Sequence, residues 1–327
     1  MENNSIRISF ILPFYGVEHY IGRCLDSIYE QDIPETEYEV ICVNDCSPDN
    51  SEAIVRQYAQ KHANLHLICH EKNLKLGAAR NTGLRQAKGN YVWFIDTDDF
   101  VASNCLHEIL SICENNDLQI MHFGIQDHYG KVIRSLIETD VISGPEEELI
   151  SNRQLCIEIT YPWNRVYNRE FLIQNNLWFN DLPGGDVVHT ISAVNCCSRI
   201  KNVNKYYYFY RTNNYTSATK TLTTAKKIFD RNFYLAWELG QLTPNMDEKW
   251  RHLIAECGPW RVNTSIKSIL KLSYSEQKEF YKLLYANGEI YNFAMRVASR
   301  RVKFFYMHPH FTEVISLVYK ILYKVFR

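Results

Sequence analysis

The sequence predicts an α/β protein in which a doubly wound, mainly parallel sheet is followed by a helical extension. Three observations support this fold class. Short apolar segments alternate with amphipathic ones over the first 125 residues, polar residues follow four of the apolar segments, and the pattern after about residue 222 has only helical spacing. Nearly continuous apolar strands are buried on both faces, which is typical of a parallel sheet covered by helices.

Strands and helices alternate in the first part of the chain. Strands are expected at residues 7–13, 38–45, 64–70, 91–95 and 118–124. Helices with an apolar stripe are expected between them, at residues 17–31, 51–62, 76–89 and 103–116. A sheet of this kind binds ligands beyond the carboxyl ends of its strands, so the residues that follow the strands are candidates for a site.

The pattern changes after residue 125. It predicts a hairpin that turns at Gly130 and then a helix at residues 145–159. A short strand followed by a helix is expected at residues 163–176, another helix at residues 186–199 and a strand at residues 203–211. The sequence therefore predicts a first domain over residues 1–220, divided at residue 124, and a helical region over residues 221–327.

Composition excludes several classes of protein. The chain is 46% apolar and 22% charged with a net charge of −1, which is globular and gives no reason to expect nucleic-acid binding. The start, MENNSIRISF, lacks a signal pattern, and no segment approaches the ~18 uninterrupted apolar residues of a membrane span. We therefore expect a cytoplasmic protein whose ten cysteines are reduced thiols.

The fourth apolar segment ends on three carboxylates, in the stretch YVWFIDTDDF. Like charges this close repel unless water or a cation neutralises them. Oxygen ligands spaced one residue apart suit Mg²⁺ or Mn²⁺, and such an ion binds phosphate oxygens as well. The alternative is that Asp98 or Asp99 only ends the strand and faces water. No G-x-G-x-x-G or P-loop motif is present, so neither a dinucleotide site nor a P-loop is indicated.

Several motifs in fixed order resemble a known family. FILPFYG, VNDCSPDNS, EKNLKLGAARNTGLRQAKGNY and VWFIDTDDF are similar to the nucleotide-sugar half of family 2 glycosyltransferases, and WNRVYNREFL, LPGGDVVHT and YYYFYRTNNYTS extend the similarity more weakly to about residue 220. The resemblance implies the Rossmann-like GT-A fold, with a nucleotide-sugar half over residues 1–124 and an acceptor half over residues 125–220. It also implies transfer of a sugar from a UDP-sugar to an acceptor hydroxyl, with inversion, in the synthesis of a capsule, exopolysaccharide or lipopolysaccharide.

The same resemblance implies a role for individual residues. The expected nucleotide-sugar contacts are Pro13 and Tyr15 beside the base, Asp45 on uracil, Arg80 beside the nucleotide, and Asp96 and Asp98 as a D-x-D motif that holds Mn²⁺ or Mg²⁺ and the diphosphate. Asp186 is the expected catalytic base. Further contacts with the acceptor or the diphosphate are expected from Asp99, Trp163 and Arg211. Two positions depart from the family pattern, since Asn44 and Gly185 stand where relatives usually carry an acid.

Other interpretations of these residues remain open at this point. Asp186 can be an ordinary helix-start residue, Arg80 a surface arginine and Trp163 part of the core. The whole chain can also be a non-catalytic nucleotide-sugar-binding or scaffold protein, which predicts a broken acidic motif or a missing base, and neither is seen. An NAD-dependent enzyme requires the glycine-rich loop that is absent. The expected partners are a UDP-sugar donor and a saccharide or lipid-linked saccharide acceptor.

The last segment, FTEVISLVYKILYKVFR from Phe311, has an apolar stripe at helical spacing. Residues 300–327 contain six basic residues and one acid, whereas the whole chain is almost neutral. A basic amphipathic helix binds anionic headgroups, so this segment predicts peripheral attachment to the inner face of the cell membrane. The alternative is a helix that packs on the protein itself or on a second subunit.

Overall fold

The computed structural model describes residues 6–142, 161–181, 184–212, 222–242, 248 and 261–309. The chain divides into two compact units, Met1–Asp181 with Gly185–Asn214, and Leu182–Gly184 with Tyr215–Arg327. The predicted boundary at residues 220 and 221 falls outside the described residues and stays a prediction, as does the predicted helix at residues 145–159.

The first unit contains a nine-stranded sheet and six α-helices among its described residues. The strands are β1 Ile8–Phe14, β2 Tyr38–Asn44, β3 Leu65–Cys69, β4 Tyr91–Phe94, β5 Phe100–Val101, β6 Ile120–Asp127, β7 Val132–Arg134, β8 Arg165–Asn168 and β9 Ile200–Tyr210. The helices are α1 Ile21–Tyr29, α2 Ser51–Ala59, α3 Lys75–Gln86, α4 Leu106–Asn115, α5 Arg169–Gln174 and α6 Gly185–Cys196. The α/β class and the hairpin at Gly130 are therefore confirmed.

The strand order is β3-β2-β1-β4-β8-β6-β9-β5, with β7 beside β6. Strands β1 to β4 are parallel, and so are β6 and β9. Strand β8 runs antiparallel to both β4 and β6, and β5 runs antiparallel to β9. Consequently β1 to β4, β6 and β9 all end at one edge of the sheet, and β8 begins there. We call this edge, where Phe14, Asn44 and Tyr210 end their strands, the carboxyl edge.

The core explains why the strand prediction succeeds. Every residue of β1, β2 and β4 is buried, as expected for strands covered by helices on both faces. Trp93 lies at the centre, 5.6 Å from Phe10 and 5.4 Å from Phe123 between ring centroids. A fully buried aromatic side chain stabilises the fold by roughly 1.5–3 kcal/mol, so this cluster fixes the sheet that carries the site.

The second unit is helical in its described part. It contains α7 Thr224–Phe229, a π-helical turn Asp230–Tyr234, α8 Leu235–Leu242, α9 at residues 261–269, α10 Tyr274–Ala286, α11 Gly288–Val297 and α12 Arg300–Met307. Phe233, Phe280 and Tyr306 are 0% exposed in its core, and the Tyr306 hydroxyl donates to the Val262 carbonyl at 2.6 Å. The basic segment from Phe311 lies outside the described residues. Among the helices that the structure describes, none combines the length and apolar content that a membrane crossing requires.

Candidate active site

A buried arginine joins two of the predicted site residues at the carboxyl edge. Arg80 is 0% exposed. Its Nη2 donates to Asp96 Oδ1 at 2.6 Å, and its Nη1 donates to Asp186 Oδ1. Because both nitrogens belong to one planar guanidinium, the two carboxylates lie side by side. The structure therefore brings the predicted metal ligand and the predicted base into one site.

Three elements position this group. Asp96 follows β4, Arg80 lies on α3, and Asp186 lies in the first turn of α6. Both helices pack closely on the segment before α6, because a Cβ at Gly77 or at Gly185 would lie 2.4 Å from the Asn180 carbonyl oxygen. The larger side chain that relatives carry before the base has no room at position 185. Glycine here lets α6 begin against Asn180 and so fixes where Asp186 points.

The charges of this group shift its proton affinities. Burial raises the pKa of the Asp186 carboxyl; the Arg80 charge opposes this and the Asp96 charge adds to it, and the net direction is upward. Burial alone would lower the pKa of Arg80, but the charges of Asp186 and Asp96 outweigh it and raise that pKa above its ordinary value. Arg80 thus stays a cation, while Asp186 has a pKa shifted in the direction that suits a general base.

Two aromatic rings form a stack against the Arg80 guanidinium. The Arg80 guanidinium carbon lies 5.1 Å from the centroid of the Phe179 ring. The His189 ring stacks on Phe179 with 3.8 Å between centroids. Burial, helped by the Arg80 charge, lowers the pKa of His189 to about 3, so this histidine is neutral at pH 7. A neutral ring adds no charge beside the cation, and the stack holds the guanidinium in place.

The acidic turn alternates between the surface and the interior. Asp96 and Asp98 are half-buried, whereas Thr97 and Asp99 are 4% and 1% exposed. The Thr97 hydroxyl donates to the Pro13 carbonyl at 3.1 Å, which ties the end of β4 to the end of β1. The two carboxylates of the predicted D-x-D motif are therefore both partly exposed, just beyond the end of β4.

Asp99 has both of its oxygens engaged inside the protein. Its Oδ2 accepts from the Tyr208 hydroxyl at 2.7 Å, and its Oδ1 accepts from the Arg211 backbone N–H at 2.6 Å. The Arg211 Nε donates to the Asp98 carbonyl at 2.8 Å. Arg211 is therefore held against the acidic turn, and Asp99 is what holds its backbone. Trp163 is 3% exposed, so its ring packs inside and offers little surface to a ligand.

A second group lies at the end of β2. Asp45 is 3% exposed, and its Oδ1 lies 2.8 Å from His70 Nδ1 and accepts from the Leu74 backbone N–H at 2.8 Å. His70 Nε2 in turn lies 3.0 Å from the Thr82 hydroxyl. The carboxylate is thus held from two sides through one of its oxygens. The Asp45 N–H donates to the Phe14 carbonyl at 3.0 Å, so Tyr15, which is 51% exposed, lies beside it.

Asn44 explains one departure from the family pattern. Its Oδ1 accepts from the Ser47 backbone N–H at 2.8 Å, and its Nδ2 donates to Glu52 Oε2 at 2.6 Å. A carboxylate can accept but cannot donate, so an acid at position 44 would repel Glu52. The amide is therefore the side chain that this loop requires.

The fit to a divalent cation depends on the donors at the carboxyl edge. Among the described residues, no group of three or more His, Cys, Asp and Glu side chains is placed to hold a metal ion. Mg²⁺ at phosphate-transfer sites is bound by one or two carboxylates together with substrate phosphates and water, not by an all-protein cage. Asp96 and Asp98 supply such a pair of oxygen donors, partly exposed and one residue apart, so they fit this chemistry.

The sequence did not reveal several residues that build the site. His70 and Thr82 orient Asp45, and the Asp181 side chain accepts from the Ala78 backbone N–H at 2.9 Å at the start of α3. His70 ends the strand predicted at residues 64–70, and its place just before the motif that begins at Glu71 was its only signal. Asp181 had no signal, because its partner is 103 residues away along the chain.

Residues 9–174, about half of the chain, match the family model described as Glycosyl transferase family 2. The chain therefore belongs to this family, as the sequence predicted. Uncharacterized glycosyltransferase EpsJ of Bacillus subtilis (strain 168) is 33% identical over 213 residues, which are 63% of this chain and 61% of that protein. Poly(ribitol-phosphate) beta-glucosyltransferase of Bacillus spizizenii is 30% identical over 211 residues, 63% of this chain and 32% of that protein. The chain thus matches less than two thirds of the length of either relative.

Solved structures support the fold. Staphylococcus aureus TarS 1–349 in complex with UDP-GlcNAc has a TM-score of 0.71 at 23% identity, over 95% of this chain and 89% of that one. The mannosyltransferase PcManGT from Pyrobaculum calidifontis, in complex with GDP-Man and Mn²⁺, has a TM-score of 0.57 at 17% identity, over 97% and 87% of the two chains. At these identities the likeness shows the GT-A fold alone, and this part of the prediction is confirmed.

Proposed function

We propose that this protein is an inverting, metal-dependent glycosyltransferase that moves a sugar from a UDP-sugar to an acceptor hydroxyl. The observation that carries the proposal is the buried Arg80 between Asp96 and Asp186. It places a carboxylate suited to a cation beside one suited to proton removal, which is the pair that a single displacement needs. A UDP-sugar as the donor is supported by the structure of TarS, which was solved in complex with UDP-GlcNAc.

Asp186 takes the proton of the acceptor hydroxyl as that oxygen attacks the anomeric carbon. Its raised pKa makes it a stronger base than an exposed aspartate. Arg80 acts through the two carboxylates, since a side chain that is 0% exposed offers no surface to the nucleotide. Asp96 and Asp98 would hold Mn²⁺ or Mg²⁺, which neutralises the charge that develops on the leaving diphosphate.

The uridine is bound at the ends of β1 and β2. Oδ2 of Asp45 accepts from uracil N3–H, and the exposed Tyr15 with Pro13 flanks the base. Adenine presents no equivalent donor to this carboxylate, so the site selects UDP. Arg211 supplies a positive charge beside Asp98 for the diphosphate, and Asp99 supports this contact by accepting from the Arg211 backbone N–H. Trp163 stacks on Tyr208, whose hydroxyl donates to Asp99.

We place the reaction in cell-surface polysaccharide synthesis at the inner face of the membrane. The relatives named above include a poly(ribitol-phosphate) beta-glucosyltransferase, which supports an enzyme that acts on a polymer. Residues 311–327 supply the basic amphipathic segment for an anionic membrane surface. Co-sedimentation with anionic vesicles at low salt tests this, with a chain ending at residue 309 as the comparison. A chain ending near residue 300 is unsuitable, because it lacks Tyr306 and opens the core of the second unit.

Release of UDP from UDP-sugars without acceptor tests the activity. The purified chain is first screened against UDP-sugars by thermal shift with Mn²⁺, since a ligand that binds only the folded state raises its stability. The donor that binds is then incubated with Mn²⁺ or with EDTA. Metal-dependent UDP release that is lost in Asp186→Asn or Asp98→Asn supports the proposal. Donor binding without any release, with or without acceptors, supports a non-catalytic binding protein instead.

A further inference from the structure

A stack of four nearly parallel aromatic rings lies at the carboxyl edge. The Trp163 ring lies 4.8 Å from Tyr161, 4.3 Å from Tyr208 and 5.7 Å from Tyr210 between centroids, with interplanar angles of 13°, 18° and 9°. Trp163 and Tyr208 are buried, whereas Tyr161 is 42% exposed and Tyr210 is 37% exposed. The stack therefore consists of two inner rings and two outer rings that offer surface to a ligand.

The stack is bonded directly to the acidic turn. The Tyr208 hydroxyl accepts from the Asp96 N–H at 3.2 Å and donates to Asp99 Oδ2 at 2.7 Å. Tyr210 ends β9 at the carboxyl edge, and the residue after it, Arg211, bonds the Asp98 carbonyl. Trp163 precedes β8, which begins at the same edge. The exposed tyrosines thus adjoin the place where the diphosphate and the transferred sugar are proposed to lie.

We propose that Tyr161 and Tyr210 form an acceptor subsite that binds a pyranose ring. The inference rests on the proposed function and names the acceptor class for it. A pyranose ring has faces of C–H groups that pack on flat aromatic rings, while its hydroxyls stay at the ring edge and reach water. The ring of tyrosine supplies such a flat face. The buried Trp163 stacks on both outer rings and holds them parallel, so that little conformational freedom is lost on binding.

This assignment gives the chain a different acceptor from that of its poly(ribitol-phosphate) relative. Ribitol phosphate is a linear polyol without a ring face, so it gains little from stacked tyrosines. Recognition of a polyol phosphate also calls for cations, and Arg211, which follows the stack, is the cation assigned above to the diphosphate of the donor. The accepting hydroxyl is therefore carried by, or lies next to, a sugar ring.

Variants of the outer rings test the subsite. Transfer from the bound UDP-sugar is measured to cellobiose, chitobiose and methyl β-glucopyranoside, and to oligo(ribitol phosphate). Tyr161→Ala and Tyr210→Ala should each raise the KM for the pyranoside acceptor about tenfold, because each removes an aromatic contact worth about 1.4 kcal/mol. Tyr161→Phe and Tyr210→Phe retain the ring face and should stay within about twofold of the unchanged protein. Tyr129→Ala is the matched control, an exposed tyrosine just past the end of β6 and outside the stack.

Binding is checked separately by saturation-transfer NMR of the same pyranosides in the presence of UDP. Signal on the ring C–H protons that is lost in both alanine variants supports the subsite. Unchanged acceptor KM in those variants, transfer to oligo(ribitol phosphate) alone, or no saturation transfer to any pyranoside overturns it. Failure of the proposed function has a different signature, since the unchanged protein would then release no UDP from any UDP-sugar.

Discussion

Replacement of Arg80 by methionine should destabilise the fold even without ligand. Arg80 neutralises Asp96 and Asp186, whose side chains are 26% and 34% exposed. Removal of one partner from a fully buried ion pair destabilises a protein by about 3–5 kcal/mol. Water reaches these two carboxylates in part, so we expect about 2–3 kcal/mol for Arg80→Met. For a unit of this size that corresponds to a fall in Tm of roughly 5–10 °C.

Thermal unfolding by circular dichroism measures the effect, with Arg85→Met as the control. Arg85 lies on the same helix, but it is exposed and its guanidinium only covers the Trp178 ring. Its loss should change the free energy of unfolding by about 0.5 kcal/mol or less. Adding Asp186→Asn to Arg80→Met removes one of the two repelling charges, so the double variant should be more stable than the sum of the single effects by about 1 kcal/mol. Equal Tm values for Arg80→Met and the unchanged protein would refute the reasoning.

Three further outcomes follow from the site. Asp186→Asn should reduce transfer by roughly 10²–10⁴-fold and leave the Kd for UDP nearly unchanged, because it removes the base and no contact with the donor. Normal turnover would show that another residue is the base. His70→Leu should weaken UDP about tenfold in competition assays and reduce the preference for UDP over ADP, whereas His70→Asn keeps a donor for Asp45 and should retain both; equal behaviour of the two variants would contradict the role of His70. Because the pKa of His189 falls to about 3 on folding, the unfolded chain binds that proton first as the pH drops below about 6.5. The contribution of His189 to the free energy of unfolding therefore falls by about 1.4 kcal/mol per pH unit down to about pH 3. Urea unfolding at each pH should show a shallower dependence in His189→Phe, and identical slopes would argue against a neutral buried histidine.

The sheet was predictable because its strands carry their own signal. Strands β1, β2 and β4 are mostly apolar, and the polar residues that follow them indicate the carboxyl edge. The order of the motifs was enough to identify the family. Strand β5 was missed, because its two residues form a pair with β9 that no local pattern indicates.

The arrangement inside the site could not be predicted from the sequence. Arg80 occurs in a polar stretch of α3, and its burial depends on Asp186, which is 106 residues away along the chain. Adjacent carboxylates also differ in burial, since Asp98 is partly exposed and Asp99 is buried and accepts from the Tyr208 hydroxyl. The turn after β4 determines which aspartate is buried, and the sequence of three aspartates in four positions does not indicate which one it is.

Tyr161 and Tyr210 illustrate the same limit. The sequence indicated Trp163 as a surface for the acceptor, but the structure buries that ring and exposes the tyrosines on either side of it in the stack. Aromatic residues are equally common in cores and in binding sites, so exposure decides between them. Exposure depends on strands β8 and β9, which are brought together only by the whole sheet.

Calorimetric titration of UDP with and without Mn²⁺ tests the central claim most directly. In the unchanged protein, Mn²⁺ should lower the Kd for UDP about tenfold or more, which is the size of effect expected from one charge-assisted contact. EDTA should abolish this increase in affinity. Asp98→Asn should keep the fold and lose this dependence on Mn²⁺, whereas Asp117→Asn, at a side chain that is 89% exposed, should behave as the unchanged protein. Tight UDP binding by Asp98→Asn that EDTA does not diminish would contradict a metal site at the acidic turn.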